Sequence, residues 1–239
     1  MRTRVLTSCF IFFLGLIIVQ TTAFSQEKLA DKVEAAIANS FYEDFTVTAS
    51  EEGNVTLEGN VNSLYDKYRI FEIASRVPVV RKISNQVTVN TPVIADKMIE
   101  ANILQEMKYV SSILEPDRIS VRVNNGVVFL DGKVSFYREK IMMKTIASWQ
   151  KGVKGIVNKL AVLPPKKAKS DENLMKVLNQ IMKHEFPIED NIQFTIDDGN
   201  VTLKGTATSL WAKNNIEEEF LNVIGIKDVE NNLDVKPIM

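Results

Sequence analysis

The sequence predicts an α+β protein made of three tandem copies of one small α-β-β-α-β module, each a three-stranded sheet covered by two helices. Three observations predict it. Gly53-Asn54-Val55-Thr56-Leu57-Glu58-Gly59 returns as Gly126-Val127-Val128-Phe129-Leu130-Asp131-Gly132 and as Gly199-Asn200-Val201-Thr202-Leu203-Lys204-Gly205, offset by 73 residues each time. The same offset carries Ile83, Asn85, Val87 and Val89 onto Ile156, Asn158, Leu160 and Val162, then onto Val229, Asn231, Leu233 and Val235. Between these markers the hydrophobic period changes from helical to alternating in the same order in every copy.

Each copy opens with an amphipathic helix, its apolar residues three or four apart: Leu29, Val33 and Ile37; Ile99, Ile103 and Met107; Leu174, Leu178 and Met182. Asp31, Asp96 and Asp171 lie near the helix starts, where the dipole favours negative charge. An alternating strand follows, as in Ile119-Ser120-Val121-Arg122-Val123. Asn125-Gly126 or Asp198-Gly199 then makes a tight turn, and the Val-x-Leu-x-Gly segment is the returning strand. The six motif glycines, Gly53, Gly59, Gly126, Gly132, Gly199 and Gly205, are read as structural. A second helix leads to the closing strand.

These units place a signal peptide at 1–25, modules at 26–91, 95–163 and 171–237, and a Pro- and Lys-rich linker at 164–170. Arg2 and Arg4 precede an apolar run from Val5 to Val19, and Ala23-Phe24-Ser25 offers a cleavage site. The run is shorter than a spanning helix requires, which disfavours an uncleaved anchor. Leu6-Thr7-Ser8-Cys9 resembles a lipidation box, but the apolar region lies after the cysteine instead of before it. Cys9 is the only cysteine, so the exported chain forms no disulfides and each module depends on its own core and its neighbours. At roughly 65 residues a single core is marginal, so the modules are expected to lean on one another.

The Gly-x-Val-x-Leu-x-Gly segment, followed by Gly-Val-Lys-x-Ile-x-Asn-x-Leu-x-Val (clearest from Gly152 to Val162), resembles the BON domain, over essentially the whole chain after the leader. Pro78 and Arg81 depart from the pattern in the first copy, near where the other copies carry glycine. The resemblance implies an osmotically inducible, periplasmic type of protein that binds phospholipid or envelope partners and supports the envelope under osmotic stress. It implies no catalytic constellation and no cofactor.

The residues agree that catalysis is not expected. His184 is the only histidine, and the thiol-free exported chain leaves nothing to complete a metal site with it. Glu51-Glu52 and Asp197-Asp198 sit at hairpin turns and read as solvated acids. No nucleotide or nucleophile motif occurs. Neither a small-molecule substrate nor nucleic acid is an expected partner.

What differs among the copies is charge. Residues 27–90 hold 7 basic and 10 acidic side chains, a net of −3; residues 95–170 hold 14 and 7, a net of +7; residues 171–239 hold 6 and 13, a net of −7. In the second copy Phe136, Met143, Ile146 and Ala147 form the predicted core stripe of the second helix. The other side combines Arg138, Ile141, Met142, Thr145 and Trp149, with Lys144 at its flank, and Lys151 and Lys154 follow it. Two readings of that side stand. It lies on an anionic phospholipid surface, making the protein peripherally membrane-associated, or it docks the second copy onto a neighbour. A scaffolding or chaperone-like protein that binds other envelope proteins is the alternative function.

Overall fold

A computed structural model of the chain describes residues 29–40, 42, 45–165 and 169–236. The predicted signal peptide and the centre of the predicted linker lie outside the described residues. The first module runs α1 (residues 29–38), β1 (Thr46–Ala49), β2 (Asn54–Glu58), β3 (Asn60–Val61), α2 (Leu64–Ser75), β4 (Lys82–Asn85) and β5 (Thr88–Val89). The second runs α3 (Asp96–Tyr109), β6 (Ile119–Asn124), β7 (Val127–Val134), α4 (Tyr137–Trp149), β8 (Gly155–Asn158) and β9 (Ala161–Val162). The third runs α5 (Asp171–Glu185), β10 (Ile192–Asp197), β11 (Asn200–Ala207), α6 (Leu210–Leu221) and β12 (Asp228–Val235).

Each module has one sheet plan. The first two strands form an antiparallel hairpin; the chain crosses through the second helix and returns parallel to the central strand on its other side. At the hairpin tips Asn125 and Gly126, like Asp198 and Gly199, take positive φ at both central positions, as a tight hairpin requires. In the second and third modules the tip is also tied to the opening helix. Asp96 accepts from the Asn125 and Gly126 amides at 2.8 and 2.9 Å, and Asp171 accepts from Asp198 and Gly199 at 2.9 and 3.0 Å.

One side of each sheet is apolar and lies under the helices. Val55 and Leu57, Val128 and Leu130, and Val201 and Leu203 are buried there, at equivalent places in three separate cores. The recurrent asparagine of the closing strand has a specific task. Asn85, Asn158 and Asn231 donate from Nδ2 to the carbonyls of Lys67, Lys140 and Lys213 at 3.1, 2.9 and 2.8 Å. Their Oδ1 atoms accept from the amides of Val87, Leu160 and Leu233, each at 3.2 Å. One side chain thus joins strand to helix and satisfies the strand backbone locally, which explains its return at the same spacing.

One sequence expectation is corrected. Phe136 is the cap residue before α4, in extended backbone, and is 37% exposed instead of part of the core stripe. The chain has not yet entered the helix there, and Glu139 is buried in its place, accepting from the Leu114, Ser135 and Phe136 amides. The first module's departure near Pro78 proves conformational. Val79 takes φ +78° where the other copies have Gly152 (φ +89°) and Gly225 (φ +114°), an uncommon backbone for a β-branched residue.

Candidate functional site

The second helices α2, α4 and α6 meet at the middle of the molecule, and their contacts follow a rule. Tyr65 of α2 packs edge-on against Trp149 at the end of α4, with ring centroids 5.4 Å apart. Trp211 of α6 stands at the position equivalent to Tyr65, and Arg76 of the first module stands at that of Trp149. Those two also meet: the Arg76 guanidinium lies 4.3 Å from the Trp211 ring centroid. The start of one helix therefore touches the end of the next module's helix, from first to second and from third to first.

The apolar contacts run the same way round. Leu64 at the start of α2 is buried in the second module's core, and Leu210 at the start of α6 packs on the first module's core. Tyr137 is their equivalent on α4. Burial raises its phenol pKa, and Glu218 and Glu217 of α6 raise it further, which places α4 beside the third module. The first module thus packs on both others through its second helix.

Between the helices lies a cavity of about 350 Å³, lined by Tyr68, Glu72, Lys144, Trp211, Asn215 and Glu218 among others. The Lys144 ammonium sits 4.4 Å from the Tyr68 ring centroid. Burial of Glu72 would by itself raise its pKa, but hydrogen bonds and charge from Arg76 and Arg69, at 2.8 and 2.5 Å, outweigh it and hold the carboxyl below the usual range. Glu218 is shifted the other way: burial raises it, Glu219, Glu72 and Glu217 add repulsion, and Lys144 only partly offsets them.

The surface singled out from sequence is therefore divided. Lys144 and Trp149 engage the first module, Met142 packs against the second module's own core, and Ile141 is half-buried. Arg138, Lys144, Lys151 and Lys154 are exposed, and Trp149 is half exposed. No helical segment among the described residues is long and apolar enough to cross a membrane. Among them, too, no cluster of His, Cys, Asp and Glu has the makings of a metal site, and His184 is exposed at the end of α5.

Charge between the modules is not neutralised by pairing. Among the described residues every salt bridge stays within one module, and the second module's are Arg118–Glu115 and Arg122–Asp131. Sequence reasoning missed the other face of that module's sheet, where Phe129 and Val127 are half-buried and Val157 exposed outside all three cores. Comparing the strands copy by copy at period two would have found it.

The fold is a repeat of three α+β modules, the first packed on both others. The BON domain profile matches residues 25–91, 95–164 and 170–237, and the chain belongs to the BON-domain family, a family of binding modules. A comparison with curated proteins finds no match. Among solved structures, the chain is similar to the C-terminal domain of CdsD, a structural protein of the type III secretion system of Chlamydia trachomatis. Identity is 17% and the TM-score 0.24, over 85% of this chain and 94% of that one. The periplasmic domain of PrgH is similar at 8% identity and a TM-score of 0.21, over 85% and 100%. Scores this low have no bearing on function.

Proposed function

We propose that this is an exported, periplasmic envelope protein without enzymatic activity that associates peripherally with anionic phospholipid through its second module. One observation carries the reading: the second module is strongly basic, yet its cations make no salt bridge to the acidic third module among the described residues. Had the positive charge served only to hold the modules together, it would face Glu and Asp of the neighbours. Lys144, itself exposed, is the one predicted lipid-contacting cation that lies over a neighbouring module's ring, that of Tyr68, near Glu218. Arg138, Lys151 and Lys154 remain on the surface and add to the module's positive field, and Trp149 stays half exposed while packing on Tyr65 at the junction between helices. A role in the osmotic stress response follows from the family resemblance.

Each cation near an anionic surface contributes about 1 kcal/mol, so a handful gives weak, salt-sensitive association. The test is co-sedimentation of residues 26–239 with phosphatidylcholine vesicles, with and without phosphatidylglycerol. Leaving out the apolar leader keeps its own lipid affinity from contributing. Binding is expected only with phosphatidylglycerol and should fall with salt. No binding to either vesicle would discard lipid as the partner and favour an envelope protein.

A further inference from the structure

The three modules share a backbone register, so their solvent-facing sheet surfaces can be compared residue by residue. In the first module the row across the sheet is Thr48–Thr56–Ser84, and in the third it is Thr195–Thr202–Glu230. In the second module the same row reads Arg122–Phe129–Val157. Next to Phe129 on its strand face stands Val127, where the other copies carry Asn54 and Asn200. Lys133 and Lys159 are exposed at positions held by Asn60 and Gln86 in the first module and by Thr206 and Asn232 in the third.

Two copies thus cover this face with polar side chains, Lys82 and Lys204 among them, the ordinary solution for a sheet surface in water. Only the second puts an aromatic and two β-branched residues at the centre and cations around them. Asp131 is the one acid among them, and it is bound to Arg122 at 2.9 Å. The helices lie on the opposite face, where the cores are, so the inter-module contacts of α4 leave this surface free.

Resting on the phospholipid reading above, we infer that the outward face of the β6-β7-β8 sheet is the membrane-contacting surface. Phe129 and Val157 enter the headgroup region, and Arg122, Lys133 and Lys159 meet lipid phosphates. Charge complementarity and the flat apolar centre select the occupant: cations ringing an apolar patch match the charged surface and acyl boundary of an anionic bilayer.

The test uses residues 26–239 and grafts the third module's row onto the second: Arg122→Thr, Phe129→Thr and Val157→Glu together. The same fold already carries those residues at those positions in its third copy, so the graft is compatible with folding, and circular dichroism checks it. Lys108→Glu on the helical side changes the net charge by the same amount and is the control. On phosphatidylglycerol vesicles the graft is expected to bind about tenfold more weakly than the control, because it also removes the apolar contacts. Equal weakening of both would overturn the sheet face as the contact while leaving lipid binding in place. Failure of the unmodified protein to bind would instead overturn the lipid reading itself.

A second measurement does not depend on affinity. Val157→Cys gives residues 26–239 their only thiol, and an environment-sensitive dye placed there should brighten on phosphatidylglycerol vesicles and stay unchanged on phosphatidylcholine. A response to polyglutamate but to neither vesicle would overturn the proposal in favour of an acidic protein as the occupant.

Discussion

The first and second modules answer the same structural demands with different residues. Where the chain leaves the second helix and must turn, the second module has Gly152, with Ile94 and Ile99 closing over it. The first has Val79 in the same left-handed backbone, half-buried against its own core. Where the second helix begins, Ser63 caps α2 with its hydroxyl, while α4 starts after Phe136 and relies on the buried Glu139. The module tolerates either chemistry provided that backbone direction and amide partners are supplied. Identity of fold therefore leaves the surface side chains open to diverge.

The largest test of that comparison exchanges the turn residues. In Gly152→Val a Cβ would lie 2.8 Å from Ile94 Cβ and from Ile99 Cδ1, at φ +89°. A loss of about 3 kcal/mol or more is expected, read by chemical denaturation. An unchanged midpoint would mean that the second module relaxes as freely as the first.

Trp149→Ala removes the edge-to-face contact with Tyr65 and should cost about 1 kcal/mol. A double-mutant cycle with Tyr65→Ala separates this coupling from loss within the module. A coupling energy of zero would remove α2–α4 contact as the reason for that tryptophan.

Glu218→Gln probes the junction by pH. Burial, with Glu219, Glu72 and Glu217 nearby and Lys144 opposing, keeps the folded carboxyl protonated to higher pH than the ordinary 4.5 of the unfolded chain. The folded state then binds more protons in the window above 4.5, so stability falls as pH rises through it. The amide should be at least as stable as the parent at pH about 7, and its advantage should disappear in acid. A variant whose stability parallels the parent at every pH would refute the role of this carboxyl.

The smallest effect is expected from Val79→Gly. Relief of the left-handed backbone opposes lost packing and a more flexible unfolded chain, leaving a change within about 1 kcal/mol. Set beside Gly152→Val, it measures how unequal the two turns are. A loss of several kcal/mol would show that Val79 is held by packing that outweighs its backbone.

The sequence legibly specified everything that recurs. Hairpin tips need Asn-Gly or Asp-Gly for positive φ, buried strand faces need Val and Leu at period two, and the helix–strand tie needs asparagine. The strand faces and the asparagine recur at a 73-residue spacing in all three copies, and the turn pair in the second and third, because each is a local requirement that imposes a residue type. The helical side carrying Lys144 and Trp149 was legible only as basic and apolar, a description that suits a lipid surface and a neighbouring helix equally well. Tertiary structure assigned part of it, because only the packing of α2 on α4 brings Tyr65 and Tyr68 to those residues. It also assigned Leu64 to the second module's core, a destination that one helix's periodicity does not encode. The physical reason is the range of the cause: turns, caps and strand faces are set within a few residues of chain. The partner of an exposed apolar side chain is set by where three separately folded cores come to rest against one another.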